Sequence, residues 1–325
     1  MTTTEQQQQP LGSPFSATST AEDVMAGVGL VGMTAVVTGG YSGLGLETTR
    51  ALAASGARVV VPARRPSVAR AALRDVPGCD VIAMDLADLG SVRAAAAQIS
   101  ACLDRLDLLM AVAGVMATPE RRLGPGWESQ LATNHFGHFA LACELYPLLA
   151  AADGARVVVN SSAGHVLTGI RWHDPHFGTG YDKWLAYGQA KTANALFAVR
   201  LDALGRDDGV RAYALHPGKI LTGLQREMTL EEQIDRGWVD ERGHLIGAGF
   251  KTPSQGAATG LWAATSPLLD DRGGLYLEDC DIARVSAPEE SMDDGGVRAY
   301  AIDPDSAARL WELSAAATGA TPVVR

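Results

Sequence analysis

The chain is short of positive charge. Against 37 Asp and Glu it has 27 Lys and Arg, a net charge of −10 over 325 residues. Such an acidic chain is a poor partner for nucleic acid or an anionic membrane surface. Cysteine is scarce as well. Cys79, Cys102, Cys143 and Cys280 lie far apart and make no CxxC. They indicate neither a metal site nor a disulfide framework, and reduced thiols suit a cytoplasmic setting. No Lys or Arg precedes Arg50, so there is no charged start for a secretory signal. No apolar run reaches the ~18 residues that a membrane span needs. With 47% hydrophobic and 20% charged residues, the composition is that of a soluble globular protein. The length suits one large α/β domain or two small ones.

What is present is a rhythm. Residues 1–20 are rich in Pro, Gln, Ser and Thr and are expected to be disordered. Thr20 and Asp23 read as the cap of a short helix. From residue 30 onward, short apolar runs alternate with alanine-rich helical stretches. The strand candidates are 34–38, 58–62, 80–84, 108–111, 156–160, 211–215 and 274–277. Most are continuous rather than alternating, as strands buried on both faces of a parallel sheet are. The expected fold is α/β: a single doubly wound Rossmann-type parallel sheet with helices on both faces, over 21–285. Two stretches break the rhythm. Residues 219–252 are polar with scattered Trp, Met and Leu, and a C-terminal extension over 286–325 carries a short helix.

The first strand runs into "TGGYSGLG", with Gly39, Gly43 and Gly45 spaced GxxxGxG between a strand and a helix. Glycine there permits the tight turn and the close approach of backbone to a pyrophosphate. The helix start, with Ser42 and Leu44 beside the glycines, offers unpaired N–H groups to the phosphates. A dinucleotide site is expected. In "VVVPARRP", Ala63 stands where NAD-binding folds place an acid, and Arg64 and Arg65 follow. Two guanidiniums and no carboxylate favour the 2′-phosphate of NADP; a solvated arginine pair is the plain alternative. Asp85, followed by Leu86, lies past the third strand, where its carboxylate could take a hydrogen bond from adenine.

In "WLAYGQAKTANALF", Tyr187 and Lys191 sit four apart on a helix and therefore one above the other. A free phenol with a pKa near 10 is too weak a base at neutral pH. A neighbouring ammonium and a bound oxidised nicotinamide would both favour phenolate, by roughly two to three pH units. An exposed Tyr–Lys pair is the bland reading.

"TGGYSGLG", "AVAGV", "TNHFGHFAL", "VVVNSSAGH", "YGQAK" and "HPGKILT" occur in that order. In this the chain resembles the short-chain dehydrogenase/reductase superfamily over about 30–285. It looks closest to the retinol-dehydrogenase-like branch and its bacterial relatives, with which it shares a long insert between Ser162 and Tyr187. The resemblance implies an NADP(H)-dependent exchange of an alcohol with a ketone or aldehyde. It assigns Tyr187 as the proton-transferring residue, Lys191 as its partner and ribose ligand, Ser162 as the group binding the substrate oxygen, and Asn134 as part of a proton relay. It places Ala113 and Gly114, and Pro217, Gly218, Ile220 and Thr222, beside the cofactor, and makes 219–252 a substrate lid. Leu224, Met228, Leu230, Ile234 and Trp238 in that segment hint at a hydrophobic small-molecule substrate. One motif departs: Ala111 and Val112 stand where the family has asparagines, so other groups must satisfy the backbone there or the adenosine side is looser.

His135 and His138 lack an evident third metal ligand and read as structural or cofactor-side histidines. His165, His173 and His176 could line a pocket, and Trp172, Trp184 and Trp238 could touch substrate. Small residues Ala193, Ala195 and Ala198 on the Tyr187 helix permit close packing, and the resemblance implies a homodimer or homotetramer through that helix. Two other functions stay open. One is a non-catalytic cofactor-sensing regulator, which would not need the Tyr–Lys pair. The other is a sugar-nucleotide epimerase or dehydratase, which would show GxxGxxG and a larger substrate domain.

Overall fold

Valine-rich runs without polar alternation are stable as strands where both faces are covered. The computed structural model, which describes residues 7–320, shows this arrangement. The strands are β1 (Thr34–Thr38), β2 (Arg58–Ala63), β3 (Cys79–Ala83), β4 (Leu108–Ala111), a side hairpin of β5 (Arg122–Leu123) and β6 (Trp127–Glu128), then β7 (Arg156–Asn160), β8 (Arg211–His216), β9 (Leu275–Glu278), β10 (Asp281–Ile282), and the pair β11 (Val285–Ser286) and β12 (Val297–Arg298). Eight of them form one sheet in the order β10-β9-β8-β7-β4-β1-β2-β3. All pairings are parallel except that of β10, which turns back on β9. The seven expected strands are present with ends within a residue; β10 was not foreseen.

The helices are α1 (Ala21–Met25), α2 (Gly43–Ala54), α3 (Pro66–Ala72), α4 (Leu89–Cys102), α5 (Gly137–Ala150), α6 (Lys183–Gly205), α7 (Leu230–Asp235), α8 (Pro253–Thr265) and α9 (Pro304–Thr318). Alternate strand residues feed two cores. Val36, Val60, Leu109 and Val157 pack with α4, α5, α6 and α9. Val37, Val59, Met110 and Val158 pack with α1, α2 and α8. The sheet is thus a doubly wound, Rossmann-type one. From β1 the order runs one way to β2 and β3 and the other way to β4 and β7, so a crevice opens at the carboxyl ends of β1 and β4, where such folds bind ligands. No described helix is long and apolar enough to cross a membrane.

Both ends depart from expectation. Residues 7–20 are not disordered: Gln8 and 11–13 lie against the β9–β10 edge, and the Thr18 carbonyl accepts from Gln255 of α8; residues 1–6 are outside the described residues. The Gln8 side chain is fully buried. It donates to the carbonyls of Tyr276 (2.6 Å) and Ala283 (2.7 Å) and accepts from the Tyr276 N–H (3.0 Å). A Gln amide carries the donor and acceptor of a peptide group, so a polar segment can dock on a sheet edge without an apolar core. Asp281 anchors the next turn, accepting from the N–H groups of Leu11, Gly12 and Ser13 at 2.8, 2.9 and 3.0 Å.

The C-terminal helix is also not short. α9 spans 15 residues and buries Ala307, Leu310, Trp311 and Ser314, a helical spacing of one face. Trp311 packs on Phe139 and Phe197 at ring-centre distances of 4.9 and 6.0 Å. Ala193, Ala195 and Ala198 of α6 are buried in the same core as Leu310 and Trp311. All three are buried within the one chain, and α6 packs on α9 through Phe197 and Trp311. The face expected to join a second copy is therefore covered. The extension's residues 321–325 lie outside the described residues.

Candidate active site

Four expected residues converge above β4 and β7. Tyr187 and Lys191 are both buried on α6, with the Lys191 Nζ 5.6 Å from the Tyr187 ring centre. Ser162 follows β7 and caps a short 3-10 turn, its Oγ accepting from the Gly164 N–H at 3.1 Å. The Ser162 side chain lies near enough to the Tyr187 phenol to lower its pKa. Gly164 must be glycine, because a Cβ would stand 2.9 Å from Cε1 of Tyr187. Asn134 sits in a π turn (Ala132–Phe136) leading into α5; such turns are frequent at functional sites. Its carboxamide accepts from the Val115 N–H (2.8 Å) and donates to the Val115 carbonyl (2.9 Å). A Cβ on Gly114 would lie 3.1 Å from Asn134 Oδ1 and 3.8 Å from Lys191 Nζ, which brings Asn134 and Lys191 together beside Gly114.

The electrostatics correct one expectation. Burial pushes the Tyr187 phenol up to about 12, opposed by the Ser162 hydrogen bond. Burial lowers the Lys191 ammonium to about 8. The chain's own groups therefore do not favour phenolate, since desolvating a charge outweighs a single hydrogen bond. Lys191 Nζ donates to the Asn160 carbonyl at 3.0 Å, and Asn194 Nδ2 donates to the same oxygen at 3.0 Å.

The residues expected to hold the nucleotide lie beside this cluster. Gly39 and Gly43 have φ of 68° and 51°, which glycine alone adopts freely. A Cβ on Gly45 would lie 2.3 Å from the Gly39 carbonyl oxygen, and one on Gly39 3.1 Å from Ala113. Ser42 precedes α2 but makes no side-chain cap, and the first turn holds no acid. The N–H groups of this 12-residue helix are thus left for an anion, a fit to pyrophosphate that rests on this chain's own geometry. Thr222 lies 3.5 Å from where a Gly43 Cβ would be, and Leu44 and Ile220 both press on Gly256. Gly218 (φ 96°) lies beside Pro217 at the end of β8, crowded by Lys251.

Arg64 and Arg65 are exposed, and neither guanidinium has a side-chain partner among the described residues. Ala63 beside them is buried. Asp85 accepts from the Ala87 N–H at 3.0 Å. Leu86 is buried in the core, its carbonyl 2.4 Å from where a Gly137 Cβ would be.

Apolar side chains cover Tyr187. Met116, Ala117 and Met228 cluster with it, and Trp184, Leu224 and Trp238 pack alongside. Leu230 does not join them, being 46% exposed. The segment 219–252 closes at its base by a bridge between Lys219 and Phe250. It is tied to the body by ion pairs of Glu227 with Arg121 (2.9 Å), Asp293 with Lys219 (2.6 Å) and Glu232 with Lys183. Trp172 is not in this pocket; Arg309 of α9 lies over its ring at 4.3 Å. His165 is not a pocket residue either. It is buried, its Nδ1 donating to the Ser162 carbonyl (2.7 Å) and its Nε2 accepting from the Arg298 N–H (3.1 Å). His173 is exposed, and His176 Nδ1 accepts from the Glu128 N–H at 3.4 Å.

Three positions were missed from sequence. Tyr276 donates to the Ser162 carbonyl at 3.0 Å. Gln189, inside "YGQAK", accepts from the Arg171 N–H (2.8 Å) and donates to the Pro175 carbonyl (2.7 Å), pinning the insert. Thr38 accepts from the N–H groups of Val112 (3.0 Å) and Ala113 (3.1 Å). Another group thus satisfies the backbone where the family's asparagines are absent. Only Thr38 carried a signal, as the polar residue that ends β1.

Residues 33–233 match the family model described as short chain dehydrogenase. The chain belongs to the short-chain dehydrogenase family. Within it, the chain is 46% identical to a "Probable oxidoreductase" of Streptomyces lividans, over 88% of this chain and 97% of that one. It is 35% identical to retinol dehydrogenase 12 of Mus musculus, over 88% of this chain and 86% of that one. These likenesses place it near the retinol-dehydrogenase-like branch. Among solved structures it resembles an uncharacterised protein from Mycobacterium paratuberculosis at 31% identity and a TM-score of 0.69, covering 93% of this chain and 98% of that one. This short-chain dehydrogenase is an oxidoreductase by family, and the family uses nicotinamide cofactors.

Proposed function

We propose that the chain interconverts an alcohol and a ketone or aldehyde on a hydrophobic small molecule, using NADP(H). The observation that carries this reading is the cluster of half-buried Ser162 with buried Tyr187, Lys191 and Asn134 beneath an apolar wall. A polar, proton-carrying floor under Met116, Met228, Trp184 and Trp238 suits a substrate that is apolar except at one oxygen. The retinol dehydrogenase likeness points to the same kind of alcohol.

Gly39, Ser42, Gly43, Leu44 and Gly45 would hold the pyrophosphate, with Asp85, Ala113 and Gly114 on the adenosine side and Pro217, Gly218, Ile220 and Thr222 on the nicotinamide side. Arg64 and Arg65 would take the 2′-phosphate. When bound, the nicotinamide supplies or accepts the hydride. Tyr187 gives its phenolic proton to the carbonyl oxygen, or takes it from the alcohol. Burial keeps the phenol protonated at neutral pH, so it has a proton to give in the reduction direction. Ser162 orients the substrate oxygen and stabilises charge on it. Lys191 holds a positive charge beside the phenol and can bond the ribose. Asn134 holds the relay position.

The buried Tyr–Lys pair speaks against a mere cofactor sensor. The decisive experiment is turnover of a panel of apolar aldehydes and ketones with NADPH, followed at 340 nm. Consumption that is lost in Tyr187→Phe supports the reading. No turnover across the panel, with NADPH still bound, would support the sensor instead.

A further inference from the structure

β4 ends in Ala111–Val112–Ala113–Gly114, with no side-chain amide to hold the turn. The turn is held from two sides. Thr38 accepts from the N–H groups of Val112 and Ala113, and the Asn134 carboxamide grips both polar atoms of Val115. His138 stands between these holders. It is buried at the start of α5, its Nδ1 2.9 Å from the Asn134 backbone carbonyl and its Nε2 2.9 Å from the Thr38 hydroxyl. A carbonyl only accepts, so Nδ1 carries the proton. Burial keeps the ring neutral, lowering its pKa to about 4. Nε2 is therefore an acceptor, and the Thr38 hydroxyl donates to it. This fixes both Thr38 lone pairs on Val112 and Ala113. Every hydrogen bond from the end of β1 to the π turn has one direction, and His138 is the joint.

We propose that His138 is a positioning residue that couples the end of β1, where the glycine-rich turn begins, and the turn after β4 to Asn134, and does the work of the missing β4 asparagines. It touches neither reacting atoms nor phosphate. It acts by aiming the Thr38 hydroxyl and the Asn134 carbonyl. Without an acceptor at Nε2, the hydroxyl would turn to its one other acceptor among the described residues, the Met110 carbonyl at 3.5 Å, and its lone pairs would leave the turn. The coupling to cofactor rests on the function proposed above; the coupling within the turn does not.

The test compares His138→Leu with His138→Gln, whose amide can donate to Asn134 and accept from Thr38. Backbone hydrogen exchange over 110–115 is read first, without added cofactor, and then NADPH affinity by fluorescence and kcat. His138→Leu is expected to speed exchange and weaken NADPH by about tenfold, the scale of orphaning one buried polar group. His138→Gln is expected to restore both to near wild type. If His138→Leu does not fold, Thr38→Val and Thr38→Ser replace the pair, with the loss expected in Val and the rescue in Ser. Unchanged exchange in a folded Leu or Val variant, or a Gln or Ser variant as impaired as its apolar counterpart, would overturn the proposal. If wild type bound no nicotinamide while the exchange results held, the function proposed above would fail and this one would stand.

Discussion

Lys191 should cost the fold stability that it returns as chemistry, and Lys191→Met separates the two. The ammonium is buried, and burial lowers its pKa from 10.5 to about 8. At ~1.4 kcal/mol per pH unit, holding the proton in the folded state costs about 3 kcal/mol at pH 7. Methionine has similar length and no charge. The Asn160 carbonyl that Lys191 leaves behind keeps the Asn194 amide at 3.0 Å, so no buried acceptor is orphaned. Lys191→Met should therefore be about 2–3 kcal/mol more stable at pH 7, about 5 °C in melting temperature for a chain of this size. The advantage depends on pH. Between about 8 and 10.5 the unfolded chain binds a proton that the folded one has shed, so wild-type stability rises with pH across that window. The gap to the variant should close by about pH 10.5. Turnover should fall by at least about a hundredfold. Thermal and urea unfolding at pH 7, 9 and 10.5 read the first effect, and kcat the second. A variant no more stable than wild type at pH 7, or a gap that does not narrow with pH, would refute a desolvated ammonium.

Tyr187→Phe deletes only the phenolic oxygen and should lower kcat about 10²–10⁴-fold with NADPH affinity kept; more than a tenth of wild-type kcat would remove the residue from its role. Wild type should prefer NADPH to NADH by at least about tenfold in kcat/KM, the weight of one charge-assisted pair. Arg64→Ala should erase most of that preference, and adding Ala63→Asp should turn it towards NADH. Met228→Ala should raise KM for apolar ketones by about tenfold and leave KM for small polar ones unmoved; an equal effect on both would place Met228 outside the substrate pocket. Light scattering at micromolar concentration should show no dimer built on Ala193, Ala195 and Ala198, because all three are buried within the one chain; a dimer that Ala195→Glu disrupts without unfolding the chain would refute this.

The sheet was legible because its signal is local. Each of the runs 34–38, 108–111 and 156–160 is a strand read from its own residues, since burial on both faces leaves no polar alternation to mislead. The glycine turn and the Tyr187–Lys191 spacing are equally local: a required positive φ and a helical repeat are properties of a few adjacent positions. What stayed hidden depends on partners distant in sequence. Gln8 lies in a tract whose composition argues for disorder, and it is ordered by Tyr276 and Ala283, more than 260 residues away. The alanines of α6 do not say what will cover them, and in the fold they are buried within the one chain. The direction of the Tyr187 shift was likewise out of reach. The neighbouring lysine is visible in the sequence, whereas the burial that raises the phenol is a property of the assembled cores. His138 shows both limits at once. Its spacing from Asn134 is plain on the helix, but its role appears only when β1 brings Thr38 to the other side of the ring. A residue that joins two motifs is legible from neither of them, so the parts of this site that transmit position rather than chemistry are the ones that only the folded chain discloses.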